Sequence, residues 1–180
     1  MTTNNVVAMI IGSLRKLSYN RKLATALISL APAQLTLRIV EIDSLPFYNR
    51  DRDIAPPVEW TLFRENISAV DAIIFITPEQ NRSIPPPVIN ALDIGSRPYG
   101  HNVWKGKPGA IIGISAGQVS EFGTNQHLRD ALMHLDVPLL PHSDFYLGHP
   151  EILFDENGNI VDIGTEDFLR KFLAEYDLWI

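Results

Sequence analysis

Ser13, Ser18, Asn20 and the cations Arg15, Lys16 and Arg21 crowd into one short stretch, GSLRKLSYNR, that begins at Gly12. Hydroxyls and a side-chain amide donate hydrogen bonds, and the Arg15 guanidinium offers a planar fork matched to phosphate oxygens. The stretch follows an apolar run over residues 6–11 and precedes a helical pattern over residues 22–30. It therefore reads as the turn from a first strand into a first helix. A helix N-terminus at that point adds unpaired N–H groups and about half a positive charge. The expectation is a phosphate-binding loop that includes Ser13, Leu14, Arg15, Ser18 and Asn20. The local alternative is an ordinary helix start with Ser18 or Asn20 as its N-cap.

What the loop lacks narrows the ligand. A Walker A loop needs a second glycine followed by Lys and Ser or Thr, and the dinucleotide fingerprint needs further glycines too. Gly12 is the only glycine in this stretch. A pyrophosphate demands very close backbone approach, whereas side chains and a helix end can hold a terminal monophosphate. A mononucleotide is the better fit.

The elements that must position this loop alternate in type. Continuous apolar runs at residues 6–11, 72–77 and 109–115 have the character of parallel strands covered on both faces. Residues 35–42 alternate, as on a strand nearer the edge, and residues 137–140 read as a short fifth strand. Helical spacing marks residues 58–70, 87–95, 125–135 and 165–179, with Pro87 suited to a first turn. Repeated strand–helix alternation predicts a three-layer α/β/α fold around a five-stranded parallel sheet. A ligand loop after strand one makes the flavodoxin-like order 2-1-3-4-5 the economical topology.

In that order the loops after strands one, three and four converge. The second of them carries Pro78, Glu79, Gln80 and Asn81 and is stiffened by prolines. The third carries Ser115 and Gly117, small residues beside which a flat ring can approach the backbone. A slot with an anion anchor at one end suits flavin mononucleotide (FMN).

Composition sets the outer bounds. The 180 residues, 46% apolar and 20% charged, are expected to form a single domain over residues 1–180. A net charge of −6 argues against nucleic acid or an acidic membrane surface as partner. The absence of cysteine excludes disulfides, a thiolate zinc site and a Cys nucleophile. The five histidines show no metal-ligand spacing, so no metal site is expected. With no basic flank at the start and no apolar stretch of membrane-spanning length, the expected location is the cytoplasm.

The segments GSLRKLSYNR, TPEQNRSIPPPVINALDIGSRPYG, WKGKPGAIIGISAG and QHLRDAL, in this order over residues 6–140, resemble the NADPH-dependent FMN reductase family, in particular its chromate and quinone reductase branch. The resemblance implies a flavodoxin-like fold, FMN as cofactor, NADPH or NADH as co-substrate, and a homodimer or homotetramer with the flavin near the subunit interface. It implies hydride transfer to FMN and then to a small-molecule acceptor: quinones, azo dyes, free flavin or chromate-like metals. Carried over position by position, Ser13, Arg15, Ser18 and Asn20 would hold the phosphate, in a loop that also contains Leu14. Pro78, Glu79, Asn81, Ser115 and Gly117 would line the ring, with Gln80 contributing through its backbone. The flavin carries the reaction and the protein supplies orientation and electrostatics, so no side chain is expected to act as a catalytic acid or base. One open flavin face used twice predicts ping-pong kinetics.

The departures from the family pattern are Gln80 in place of Tyr, Pro86 in place of Gly, Ile94 in place of Trp and Gln126 in place of Tyr. They keep a second reading open, an FMN-binding module for electron transfer or sensing without efficient turnover. Several residues carry two readings. Glu79 either caps the helix after the prolines or contacts the flavin, and Arg82 is either solvated or helps hold a nicotinamide phosphate. Lys105 and Lys107 read as solvated, residues 155–158 as a surface turn, and the three tryptophans as core or interface.

Overall fold

The structure is a computed structural model that describes residues 4–114, 122–141 and 145–180. Among these the chain runs β1 (Asn5–Ile11), α1 (Tyr19–Leu30), β2 (Leu35–Val40), a 3-10 turn (Arg50–Arg52), α2 (Val58–Ser68), β3 (Ala72–Thr77) and α3 (Pro86–Ser96). It continues through β4 (Gly109–Ile114), α4 (Phe122–His134), β5 (Tyr146–Leu147), the single-turn α5 (Pro150–Leu153) and α6 (Ile163–Trp179). The strands form one parallel sheet in the order β2-β1-β3-β4-β5, the expected flavodoxin-like topology.

Side chains of a strand point alternately to its two faces, so each apolar run feeds two cores. Val7, Met9, Ile11, Ile74, Ile76 and Ile112 pack toward α1 and α6, against Leu23, Leu27, Leu169 and Phe172. Ala8, Ile10, Ile73, Phe75 and Ile111 pack toward α2, α3 and α4, against Trp60, Phe63, Val88, Leu128 and Leu132. Trp60 and Trp104 are fully buried, as expected of core residues, while Trp179 is partly exposed. No helix among the described residues is long and apolar enough to cross a membrane.

One expectation fails at the sheet edge. Residues 137–140 are not the fifth strand; they make a single bridge, Leu139 with Gly109, through the bonds Gly109 N–Pro138 O and Leu140 N–Gly109 O, both 2.8 Å. Pro138 has no N–H with which to continue a ladder, and Pro141 closes the segment. The fifth strand is β5, where Tyr146 and Leu147 pair with Gly113 and Ile114. A second correction concerns Lys107, whose ammonium donates to Val70 O at 2.6 Å and to Ser68 O at 3.4 Å. Carbonyls left over where α2 ends attract such a cation. The turn at Asp155 is as expected, closed by Gly158 N–Asp155 O at 3.0 Å.

Candidate functional site

The loops after β1 and β3 leave the sheet at the same edge, beside the last residue of β4. Between them lies a cleft of about 760 Å³ lined by Gly12, Ser13, Leu14, Arg15, Ser18, Tyr19, Asn20, Pro78, Glu79, Gln80, Pro86, Pro87 and Ile114. That volume is in the range of small-molecule sites. A Cβ at Gly12 would collide with Thr77 and Val88, so glycine lets the ends of β1 and β3 approach.

The first wall is a helix start. α1 begins at Tyr19, earlier than its apolar spacing indicates, because Ser18 caps it: Ser18 Oγ accepts from Arg21 N at 3.2 Å. The cap and the phosphate reading are compatible, since a hydroxyl that accepts one bond still has a proton to donate. No acidic residue occupies the first turn of α1. Asn20 lies within that turn, buried, and its Oδ1 has no hydrogen-bond partner among the described residues. A side-chain amide can present either its oxygen or its NH2, so this unsatisfied buried group suits a polar ligand in the cleft. The donor set, the helix end and the orphaned amide together fit a monophosphate. Arg15 reaches the cleft, but Arg21 does not belong to it: its guanidinium grips Glu41 at 2.8 and 2.7 Å. This fork–fork pair lifts the Arg21 pKa and holds Glu41 below the ordinary glutamate value.

The second wall is a two-residue turn. Gln80 and Ser83 exchange backbone bonds of 3.1 and 3.0 Å, and Asn81 (φ 51°) and Arg82 (φ 61°) between them are both left-handed. Positive φ at both central positions is the signature of a type I′ turn, which asparagine tolerates better than arginine does. The turn carries Asn81 outside the lining of the cleft, so only Pro78, Glu79 and Gln80 of the four expected residues border it.

Three contacts tie this turn to α4. Glu79 Oε2 accepts from Thr124 N at 3.3 Å, Thr124 Oγ1 donates to Ser83 O at 2.8 Å, and Ser83 Oγ lies 3.2 Å from His127 Nδ1. Glu79 thus caps a helix, but α4 rather than the helix after the prolines. Pro86 and Pro87 open α3 and have no N–H to offer a cap. The other Glu79 oxygen accepts from Arg82 at 3.0 Å, with the Arg82 side chain 80% exposed and that of Glu79 only 7%.

Ser115 and Gly117, the expected residues of the loop after β4, lie outside the described residues. Gly12, Tyr19, Pro86, Pro87 and Ile114 line the cleft without having been singled out as contacts. A signal for Tyr19 existed: taking Ser18 as the cap makes Tyr19 the first residue of the helix. Of the substituted positions, Pro86 lies in the cleft wall, Gln80 borders the cleft, and Ile94 is buried in the core beneath α3.

Comparison with known proteins agrees with this geometry. The NADPH-dependent FMN reductase family matches residues 6–151. A quinone reductase of Pseudomonas putida is 47% identical, covering 97% of this chain and 94% of that protein. A 2-hydroxy-1,4-benzoquinone reductase of a Burkholderia species is 42% identical, with coverage of 97% and 95%. Among solved structures, a flavoenzyme NAD(P)H:(acceptor) oxidoreductase from Paracoccus denitrificans superposes with a TM-score of 0.90 at 36% identity, covering 97% and 96% of the two chains.

Proposed function

The chain belongs to the NADPH-dependent FMN reductase family, and from that premise we propose an FMN-dependent NAD(P)H oxidoreductase whose acceptors are quinones. The observation that carries the reading is the cleft at the carboxyl edge of the sheet, with an uncommitted buried amide at Asn20 in the first turn of a helix. Bound in that cleft, FMN would supply two-electron chemistry between the nicotinamide and the acceptor.

The residues have separate tasks. Ser13, Arg15, Ser18 and Asn20 hold the phosphate with the N–H groups of α1, and Leu14 closes the same loop. Pro78, Glu79 and Gln80 border the ring plane, Asn81 shapes the turn that ends this wall, and the reading assigns Ser115 and Gly117 to the same ring site. The prolines at 78, 85, 86 and 87 stiffen that wall, which lowers the entropy lost when a ligand is ordered against it. Glu79 orients the wall by fixing it to α4. Donor and acceptor use one open face in turn, the basis of a ping-pong scheme.

The reading includes a homodimer or homotetramer. It is supported by a groove between α3 and α4 in which Ile84, Ile89, Leu92, Ala131 and Leu135 lie beside Asp93, Ser96 and His134. The reading includes a cytoplasmic location, which a nicotinamide reductant supports. Steady-state kinetics of FMN-loaded protein with NADPH and 1,4-benzoquinone test the proposal. Parallel double-reciprocal lines are expected. Retained FMN without NADPH oxidation above the buffer rate would leave only a flavin-binding module.

A further inference from the structure

The loop between β2 and α2 spends its side-chain bonds in one place. Asn90 of α3 is buried, and its Oδ1 accepts from Tyr48 N at 2.8 Å. Its Nδ2 donates to Leu45 O at 3.3 Å and to Pro46 O at 3.2 Å. Trp60 Nε1 donates to Pro46 O as well, at 2.9 Å, and the Tyr48 and Trp60 rings pack at 5.4 Å. Tyr48 is tied further down the loop by its hydroxyl, which donates to Asp53 at 3.0 Å. Every one of these contacts fixes a residue flanking Phe47, yet Phe47 itself is 77% exposed. A large aromatic ring gains nothing for the fold by standing in solvent on a pinned backbone.

What lies beside the ring gives its use. Phe47 borders a small groove of about 190 Å³ with Tyr48, Pro86, Ile89, Asn90 and Asp93. Pro86 also lines the large cleft, so the groove and the cleft share a wall. Phe47, Pro86 and Ile89 are apolar, and burial pushes the Asp93 carboxyl above its ordinary value, a setting unfavourable to an anion.

We infer that Phe47, with Pro86 and Ile89, forms the subsite for the ring system of a neutral aromatic acceptor, and that Asn90 is the residue that positions Phe47. This subsite rests on the reading of the cleft as an FMN site serving quinones. Offset stacking on Phe47 favours acceptors with a larger ring system over those without one. The same sequence features explain why Asn90 is buried on a helix face where an apolar residue would otherwise pack.

The test uses FMN-loaded protein and two acceptors, 1,4-naphthoquinone and ferricyanide, which has no ring to stack. Phe47→Ala is expected to raise KM for the naphthoquinone by about three- to tenfold, with a smaller rise for ferricyanide. Phe47→Trp should preserve the low naphthoquinone KM. Asn90→Ala should raise it with Phe47 intact, acting on KM more than on kcat, and the double variant should add little to either single change. Equal effects on both acceptors, or none, would overturn the subsite. So would a fall in the sedimentation mass of Phe47→Ala, which would make Phe47 a contact with a second copy of the chain. Failure of the wild type to reduce any quinone with NADPH would remove the parent reading and the subsite together, and that result is distinguishable because it precedes any variant.

Discussion

At Asn20 stability and binding pull in opposite directions. Its buried amide oxygen is unsatisfied among the described residues, and a group of that kind costs on the order of 1–3 kcal/mol. Asn20→Ala is therefore expected to leave the apoprotein as stable as before, or more stable by up to about 1 kcal/mol, while weakening FMN binding by about 1–2 kcal/mol. Urea unfolding of the apoprotein and a fluorescence titration with FMN read the two effects separately. A less stable apoprotein would mean that the amide serves the fold instead. Arg15→Ala should weaken FMN binding by about 1.5–3 kcal/mol, the scale of a charge-assisted hydrogen bond; an unchanged affinity would remove Arg15 from the phosphate site. Residue types singled out Ser13, Leu14, Arg15, Ser18 and Asn20, and all five line the cleft. What they left hidden is the partner of Arg21, which is Glu41, just past the end of β2 and 20 residues away in sequence.

Among the elements, α4 depends on a side chain that precedes it by a whole strand and helix. Removing the carboxylate with Glu79→Ala takes away an N-terminal cap and the Arg82 pair, and is expected to destabilise the protein by about 1–2 kcal/mol. Thr124→Val, which deletes a buried hydroxyl bonded to Ser83 O, should cost about 1 kcal/mol more than an exposed threonine would. Thermal or urea unfolding of both variants checks this, and stabilities equal to the wild type would separate α4 from the turn. The strands with continuous apolar runs, residues 72–77 above all, were plain in the sequence because burial on both faces leaves one pattern. The fifth strand was not. Residues 137–140 have the right side chains, but the prolines at 138 and 141 limit their pairing, and the two-residue β5 is too short to carry a pattern. The type I′ turn was equally hidden, since Asn-Arg lacks the glycine by which such turns are usually recognised.

For the molecule as a whole, pH should act through a few carboxylates held below their ordinary values. The hydrogen bonds from Arg21 lower Glu41, those from Thr165 lower Asp162, and those from Asn159 lower Asp155. A lowered folded value means that the unfolded chain binds the proton more readily. The contribution is then complete above the unfolded values, 4.5 for Glu and 3.8 for Asp, and is lost as pH falls through the lower folded ones. Stability should accordingly drop below about pH 4.5, and Arg21→Met should flatten the start of that decline by about 0.5–1 kcal/mol for so exposed a pair. Urea midpoints between pH 3 and 7 would show it, and a decline of the same shape in the variant would contradict it. Lys107 acts in the same direction at the alkaline end: burial lowers its pKa, so the unfolded chain again holds the proton more readily and stability rises as pH approaches 10.5. Whether the cleft holds FMN is read from the visible spectrum. Protein supplied with FMN and then desalted should keep the yellow flavin bands, and anaerobic NADPH should bleach them. Protein that emerges colourless from desalting would contradict the account, because the cleft would then not be an FMN site.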